Sequence, residues 1–187
     1  LAGDVVESLA REAVDRPSIL FKAIKPKGGE MPVVMGAGGS GILLHEAIGH
    51  AFEADFNRKR TSIFCDLFGK KVCDAHINVV DDGTIPFNRG SVNFDDEGVE
   101  GQKTYIVREG ILTSYLHDRI SARHYGVEPT GNGRRDTFRN MPIPRMRATY
   151  MEAGNVKEAD IIASVKQGIF VDTFTNGQVQ IGAGDFP

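Results

Sequence analysis

Residues 41–55 read Gly-Ile-Leu-Leu-His-Glu-Ala-Ile-Gly-His-Ala-Phe-Glu-Ala-Asp, which places two histidines and a glutamate in an apolar, helix-forming segment. A glycine-rich run, residues 36–41, leads into it. Imidazole nitrogens are common zinc ligands, and a carboxylate beside them can take a proton from a water that the metal activates. The stretch therefore predicts a helix that carries zinc-hydrolase chemistry, with His45 and His50 as metal ligands and Glu46 as the general base.

The spacing of the histidines is unusual for such a site. The familiar pattern, His-Glu-x-x-His, places the ligands four residues apart on one face of a helix. Here they are five apart, so a regular α-helix would separate them by about 140° instead of about 40°. One inserted residue corrects this, and we expect a π-bulge at Gly49 because glycine tolerates altered backbone. The alternative is that the helix ends near His50.

A second interpretation of the same histidines stays open. A histidine among leucine and isoleucine is often a hydrogen-bonded core residue with no ligand. Two histidines and a glutamate in one apolar helix are harder to explain this way, because each of them would need its own buried partner. The sequence favours a metal site over a satisfied core.

Composition limits the class of protein. The chain has 187 residues, of which 41% are hydrophobic and 25% charged, as in ordinary globular domains. The net charge of −3 argues against a dedicated nucleic-acid binder. No apolar run reaches the roughly 18 residues of a membrane span, so none is expected. Cys65 and Cys73 are too few for a disulfide scaffold, which favours reduced thiols in a cytoplasm.

The chain begins at Leu1 and ends just after a strand-like run, so we interpret it as a piece of a longer protein. Apolar residues at helical spacing predict a helix over 4–15, stopped by Pro17. We expect residues 1–25 to be the tail of a preceding domain or a linker. Residues 26–187 then form a core domain that is incomplete at its C-terminal end.

Short strands and hairpins dominate the rest of the chain. Strands are predicted at 32–35, as a buried strand, and at 77–80. Hairpins are expected around Glu109-Gly110 and Asn176-Gly177. Helices are expected at 118–125, between Asp118 and Gly126, and at 155–165, capped by Asn155. The predicted class is α+β, with a mostly antiparallel, barrel-like core, the metal-motif helix and a few short helices.

Three loops carry functional alternatives. The glycine run 36–41, with Gly38 and Gly39, either lets a peptide approach the backbone closely or is a flexible turn. The segment 130–147 is rich in arginine and either holds a carboxylate or phosphate or forms a surface patch. The acidic loop 93–98 is either a cation site or a solvated turn. We favour the solvated turn, because the loop lacks the regular spacing of a calcium loop.

Several motifs together resemble the TldD/PmbA family of zinc metallopeptidases. They are Leu43–His50 with Glu53–Arg58, Val80–Thr84, Arg89–Ser91, Asp95–Gly98, Thr130–Arg135, Pro142–Met146 and Tyr150-Met151. They occur in the family's order over about residues 31–184. The His-Glu-x-x-x-His motif places the chain with the TldD-type members, since the partner-type members lack it.

The resemblance implies a cytoplasmic peptidase that degrades unfolded peptides and pairs with a non-catalytic relative or with its own copy. It assigns zinc to His45 and His50 and the general base to Glu46. The family's third zinc ligand is a cysteine much further along, which we expect beyond Pro187. Glu53 and Asp55 are the alternative candidates for the third ligand. Cys65 and Cys73 are expected to be structural. The predicted substrate-binding residues are Gly38, Gly39, Asn132, Arg134, Arg135 and Arg145.

Three hypotheses follow from these features of the sequence. The first is a zinc peptidase or its core. The second is a non-catalytic module that binds peptides or assembles subunits, with its histidines buried. The third is a nucleic-acid partner acting through the arginines of 134–147, and the acidic net charge and the family's indirect label, modulator of DNA gyrase, give it little support.

Overall fold

The computed structural model describes residues 3–38 and 40–172. The chain divides into two compact units, Leu1–Met31 and Pro32–Pro187. The division predicted from the sequence falls at residue 25, and the assignment of the first segment to a preceding domain stays a prediction. No helix in the described ranges is long and apolar enough to cross a membrane.

The first unit contains one helix, α1, at Gly3–Leu20. The expectation that Pro17 stops this helix is wrong, since Pro17 lies inside it. Proline removes one backbone hydrogen bond, but the Ser18 hydroxyl donates to the carbonyl of Val14, 2.7 Å away, across the same turn. The helix has no buried residue.

The second unit is a mixture of short helices and mostly antiparallel strands, as predicted. Its largest sheet has the strand order β4-β3-β2-β7, formed by Ile111–Leu112, Lys103–Arg108, Val79–Asp82 and Thr149–Met151, and all of its pairings are antiparallel. Two pairs of strands complete the set: β1 (Val33–Met35) runs parallel to β8 (Ile169–Val171), and β5 (Gly133–Arg134) runs antiparallel to β6 (Ile143–Pro144). The strands described here form open sheets and no closed barrel.

The helical elements of this unit are short. A four-residue α2 (Ser40–Leu43) leads into a π-helix at Leu44–Gly49, a 3-10 turn at His50–Phe52 and α3 at Ala54–Arg58. Further along the chain lie α4 (Arg119–Tyr125) and α5 (Glu158–Ser164).

The core lies between the helical run 44–58 and the large sheet. Its buried members come from both sides, from the segment after β4 and from the segment 130–147, and they are Phe52, Ala54, Val79, Ile106, Val107, Leu112, Tyr115, Leu116 and Met146. Each large apolar side chain buried in this way stabilises the folded state by about 1.5–3 kcal/mol. The core therefore fixes the helical run against the sheet.

Two local predictions are confirmed in detail. Glu109 and Gly110 have φ angles of 51° and 77° and join β3 to β4, as a two-residue type I′ turn requires. Helix α4 begins at Asp118, whose carboxylate accepts from the Ser121 amide at 2.7 Å, and ends at Gly126 in the left-handed conformation with φ 68°.

Other local predictions need correction. The strand Val33–Met35 forms, but Val33 and Met35 are 48% and 43% exposed and not buried. Helix α5 begins at Glu158 with Lys157 as its first flanking residue, so Asn155 lies too early to cap it. Strand β2 runs to Asp82, past the predicted end at Val80, because Asp81 and Asp82 continue the pairing with β3. The predicted turn at Asn176-Gly177 lies outside the described residues.

Candidate metal centre

The π-helix at Leu44–Gly49 brings the two motif histidines together. The imidazole rings of His45 and His50 stand edge to face with centroids 4.9 Å apart. One ligand atom from each of His45, Glu46 and His50 lies within 4.8 Å of the others, and the described ranges contain no other such group of histidine, cysteine and acidic side chains. The predicted insertion is confirmed, and two imidazoles with a carboxylate form a donor set that fits zinc.

Gly49 has a role other than the one the sequence suggested. Its backbone angles, φ −56° and ψ −54°, are ordinary for a right-handed helix, so it does not relieve strain. A Cβ atom at this position would lie 2.1 Å from Sδ of Met146, which is itself buried. Glycine therefore lets the segment 130–147 pack directly onto the π-helix beside His50.

The two histidines have different electrostatic environments. Burial, and then the nearby His50, lower the pKa of His45, which favours the neutral imidazole that binds a metal. The pKa of His50 is raised, chiefly by its hydrogen bond to Glu53. Nδ1 of His50 lies 3.1 Å from Oε1 of Glu53, and the Glu53 side chain is fully buried.

Glu53 and Asp55 do not face the metal side of the site. The second carboxylate oxygen of Glu53 accepts from Nη1 of Arg145 at 2.8 Å. Asp55 lies between Arg145 and Lys59, with N–O distances of 3.7 Å and 3.5 Å. Neither carboxylate belongs to the group of potential ligands around His45, so the structure gives no support to either as the third ligand.

The cysteines are also apart from the histidines. Both Cys65 and Cys73 are free thiols, and neither belongs to the group of potential ligands. Cys65 donates to the carbonyl of Ser62, and burial raises the pKa of the Cys73 thiol, which keeps it protonated. A third ligand from a cysteine beyond Pro187 stays a prediction.

The predicted substrate-binding residues of the segment 130–147 differ in where they lie relative to the site. The guanidinium of Arg145 pairs with the carboxylate of Glu53, which in turn contacts His50. Asn132 is 1% exposed and donates to Asp81 Oδ2 at 2.6 Å, which favours a structural role over contact with a substrate. Arg134 is exposed and close enough to His45 for its charge to help lower the pKa of that imidazole, after burial and His50.

The remaining predicted substrate residues lie on loops. The Arg135 amide donates to Asp96 and its guanidinium donates to the Asn140 carbonyl, each at 2.8 Å. Gly38 has a φ of 87°, in the left-handed region, and open space where a side chain would be. Gly39 lies outside the described residues. Their contact with a substrate stays a prediction.

The acidic loop has a structural role that the sequence did not reveal. Asp95 is buried, and its carboxylate accepts from the amides of Glu97, Val99 and Gly133 at 2.8, 2.8 and 2.9 Å. It therefore closes its own turn and ties that turn to β5. These bonds use the carboxylate that a cation site would need.

A second grouping of imidazole, hydroxyl and carboxylate is not a nucleophile site. His117, Asp118 and Ser121 are each at most 3% exposed. Ser121 and Asp118 form the reciprocal hydrogen bonds of a helix start, and His117 Nδ1 lies 3.3 Å from the Ser121 hydroxyl. The hydroxyl is buried and already bonded, so His117 is an ordinary buried histidine.

Comparison with known proteins shows which family the chain belongs to. A family model described as the PmbA/TldA metallopeptidase C-terminal domain matches residues 28–187. The chain is 48% identical over 185 residues to a metalloprotease TldD homolog of Haemophilus influenzae, covering 98% of this chain and 38% of that protein. It is 36% identical over 167 residues to a zinc metalloprotease TldD homolog of Saccharolobus solfataricus, covering 86% of this chain and 37% of that protein.

A solved structure shares the fold. The crystal structure of TldE from Thermococcus kodakarensis matches with a TM-score of 0.73 at 26% identity, covering 87% of this chain and 37% of that one. The chain thus spans less than two thirds of the length of each of these relatives. The π-helical His45-Glu46-x-x-x-His50 site, the family match over residues 28–187 and the 48% identity agree, and the chain belongs to the PmbA/TldD family of metallopeptidases.

Proposed function

We propose that this chain forms the zinc-binding core of a peptidase that hydrolyses unfolded peptides in the cytoplasm. The observation that carries the proposal is the convergence of His45, His50 and Glu46 at the π-helix. The name of the Saccharolobus solfataricus relative, a zinc metalloprotease, supports the choice of metal. When bound, zinc supplies the Lewis acidity that makes water nucleophilic near neutral pH.

His45, His50 and Glu46 have different roles in the proposed hydrolysis. His45 and His50 would hold the ion through imidazole nitrogens. The side chain of Glu46 is 37% exposed, so its carboxylate reaches both the water and the substrate. Glu46 takes a proton from the attacking water and passes it to the leaving amine, so one residue serves as base and then as acid.

The substrate path follows from the neighbouring backbone. Strand β1 runs from Val33 to Met35 and leads through the glycine loop to the site. It pairs with β8 on one side, and within the described ranges no strand pairs with its other side. An extended peptide that adds to this edge binds mainly through its backbone, which gives weak sequence preference. Gly38, with open space around it, and Arg134, whose charge acts on His45, are the proposed substrate contacts.

The test is peptide cleavage by the longer protein that we expect to contain this chain. An unfolded, reduced and alkylated protein serves as substrate for the wild type, Glu46→Gln and His45→Ala. We expect each variant to lose activity by about a thousandfold, with Glu46→Gln keeping its zinc. Glu152→Gln, a change at a partly buried carboxylate that pairs with Lys103 and accepts from the Tyr105 hydroxyl, is the matched control and keeps full activity. Full cleavage by Glu46→Gln would contradict the proposal.

Subunit pairing is the second part of the proposal. The structural similarity to TldE from Thermococcus kodakarensis supports a partnership with a related subunit or with a second copy. Light scattering on the longer protein, alone and mixed with its relative from the same organism, distinguishes the two cases. A monomer under both conditions would contradict pairing.

A further inference from the structure

Glu53 is a buried carboxylate that bridges a proposed metal ligand and an arginine. It lies where the 3-10 turn ends, with φ −66° and ψ 126°, so its backbone is extended. The neighbouring backbone is held on both sides, because the Ala54 amide donates to the Leu116 carbonyl and the Leu116 amide donates to Phe52, each at 3.0 Å. The position of the carboxylate is therefore fixed by the core.

The two oxygens of this carboxylate have separate partners. Oε1 lies 3.1 Å from Nδ1 of His50, and Oε2 accepts from Nη1 of Arg145 at 2.8 Å. A carboxylate is an acceptor, so the bond requires a proton on Nδ1 of His50. The other ring nitrogen, Nε2, is then the one with a lone pair for a metal ion.

The free nitrogen of His50 faces the proposed reaction side. Its Nε2 lies 4.0 Å from Oε2 of Glu46, whereas Nδ1 faces Glu53. Rotation of the ring by half a turn about the Cβ–Cγ bond would place the carbon Cδ2 where Nδ1 lies and the carbon Cε1 where Nε2 lies, and it would break the bond to Glu53. The bond thus selects both the tautomer and the orientation of the imidazole.

Arg145 is held in turn by a chain of hydrogen bonds that reaches the large sheet. Its amide donates to the Asn132 carbonyl at 2.8 Å, and its own carbonyl accepts from Asn132 Nδ2 at 3.0 Å. Asn132 Nδ2 also donates to Asp81 Oδ2 on β2 at 2.6 Å. A continuous path therefore runs from Asp81 through Asn132, Arg145 and Glu53 to His50.

We propose that Glu53 and Arg145 are positioning residues for the metal ligand His50: Glu53 fixes the imidazole with Nε2 toward the ion, and Arg145 fixes Glu53 and balances its charge. This inference rests on the proposed function, because it needs an ion held by His45 and His50. It gives Arg145 and Asn132 a role behind the site in place of the substrate contact predicted from the sequence. Carboxylates that orient metal-bound histidines in this way commonly raise metal affinity by about 10–100-fold.

A purely structural role is the alternative, since a buried carboxylate needs a partner wherever it lies. In that case Glu53 and Arg145 would only hold the segment 130–147 against the helical run. The two roles differ in their effect on the bound metal. If Glu53 and Arg145 position His50, variants at these residues lose zinc affinity even where the metal-free protein is as stable as the wild type. If their role is only structural, the variants lose that stability and keep the affinity.

The experiment compares zinc affinity with the stability of the metal-free protein. Zinc dissociation constants are measured by competition with a chromophoric chelator, and the cobalt-substituted forms are compared by their visible absorption spectra. The variants are Glu53→Gln, which keeps the volume of the side chain, and Arg145→Lys, which keeps the charge and loses the planar fork. The control is Glu152→Gln, which removes a carboxylate paired with Lys103 and not with a histidine.

We expect Glu53→Gln to weaken zinc binding by about 10–100-fold and to change the cobalt spectrum. Arg145→Lys should give a smaller loss in the same direction, and Glu152→Gln should give none. Zinc affinity within twofold of the wild type in both variants, with an unchanged cobalt spectrum, would overturn the inference, even if their melting temperatures fall. If Glu53→Gln does not fold, Arg145→Lys alone decides by the same two measurements.

Failure of the proposed function is recognisable separately. If the wild-type protein binds no zinc, the proposed metal site is wrong, and the positioning role is wrong with it. If the wild type binds zinc and the variants bind it equally well, the metal site stands and only the roles given to Glu53 and Arg145 are wrong.

Discussion

His45 and His50 lie five residues apart in the sequence, yet their rings stand edge to face with centroids 4.9 Å apart. In a regular α-helix they would point about 140° apart. The π-helix at Leu44–Gly49 accommodates the additional residue. Its turns contain about one residue more than α-helical turns, so side chains five residues apart lie near the same face. The unusual motif and the unusual helix are therefore two aspects of one feature.

Gly49→Ala is expected to destabilise the protein, because the new Cβ would lie 2.1 Å from Met146 Sδ. Overpacking of this kind costs about 1–3 kcal/mol in the free energy of unfolding. Gly41→Ala is the matched control in the preceding helix, where no atom lies within 4 Å of the added Cβ, and it should be neutral or stabilise by up to about 1 kcal/mol. Denaturant unfolding measures both, and equal effects would contradict the close packing.

Arg134→Gln is expected to lower kcat/KM for peptide cleavage by about tenfold without loss of zinc, as removal of a charged substrate contact does. Arg134 is exposed, and its charge contributes to the lowered pKa of His45, so we expect that charge to be available to a substrate that approaches the site. The neighbouring Arg135 donates to the Asn140 carbonyl, and Arg135→Gln should have a smaller effect. Steady-state kinetics on both variants decide, and the reverse order would refute the placement of the substrate.

Asp95→Ala is expected to cost about 2–4 kcal/mol in the free energy of unfolding, because three amide donors lose the buried carboxylate that accepts from them. Asp96→Ala is the comparison, since Asp96 accepts one bond, from the exposed Arg135 amide, and its loss should cost less than about 1 kcal/mol. Urea unfolding of the two variants measures the difference. Similar losses would show that the acidic turn is the solvated loop that the sequence suggested.

The buried His117 predicts a loss of stability in acid. Burial lowers its pKa to about 4, and the nearby Asp118 offsets this only in part. An unfolded histidine has a pKa of about 6.5, so the unfolded chain binds the proton first and the folded state loses stability as the pH falls from about 6.5 to about 4. Above that window the contribution is constant, and the full loss is about 3 kcal/mol.

His117→Gln tests this origin, because glutamine does not titrate in that range. Its free energy of unfolding should fall less between pH 7 and pH 4 than that of the wild type. His124→Gln, at an exposed position of α4, should keep the full decrease. A wild-type decrease that survives in His117→Gln would assign it to other groups.

Local features were the most predictable part of the fold. The type I′ turn at Glu109-Gly110 and the boundaries of α4 depend on a few neighbouring residues, and their sequences predicted them correctly. The insertion in the metal helix was predictable because two ligands at a five-residue spacing need it. The prediction at Pro17 was wrong because α1 continues to Leu20 in spite of the backbone hydrogen bond that proline removes.

Tertiary contacts account for what the sequence did not show. Gly49 was expected to serve a distorted backbone, but Met146, almost a hundred residues further along, is what requires it. Glu53 was considered as a metal ligand, and only the position of Arg145 shows that both of its oxygens are engaged. The parallel pairing of β1 with β8 likewise joins segments far apart in the chain, which periodicity does not indicate.

The central claim, that the π-helix presents His45 and His50 to one zinc ion, is tested most directly by elemental analysis of the longer protein. The wild type, Glu46→Gln and His50→Ala are purified side by side without added metal. We predict about one zinc per chain in the wild type and in Glu46→Gln, and its loss in His50→Ala. A wild-type protein without zinc, or a His50→Ala variant that keeps it, would contradict the claim.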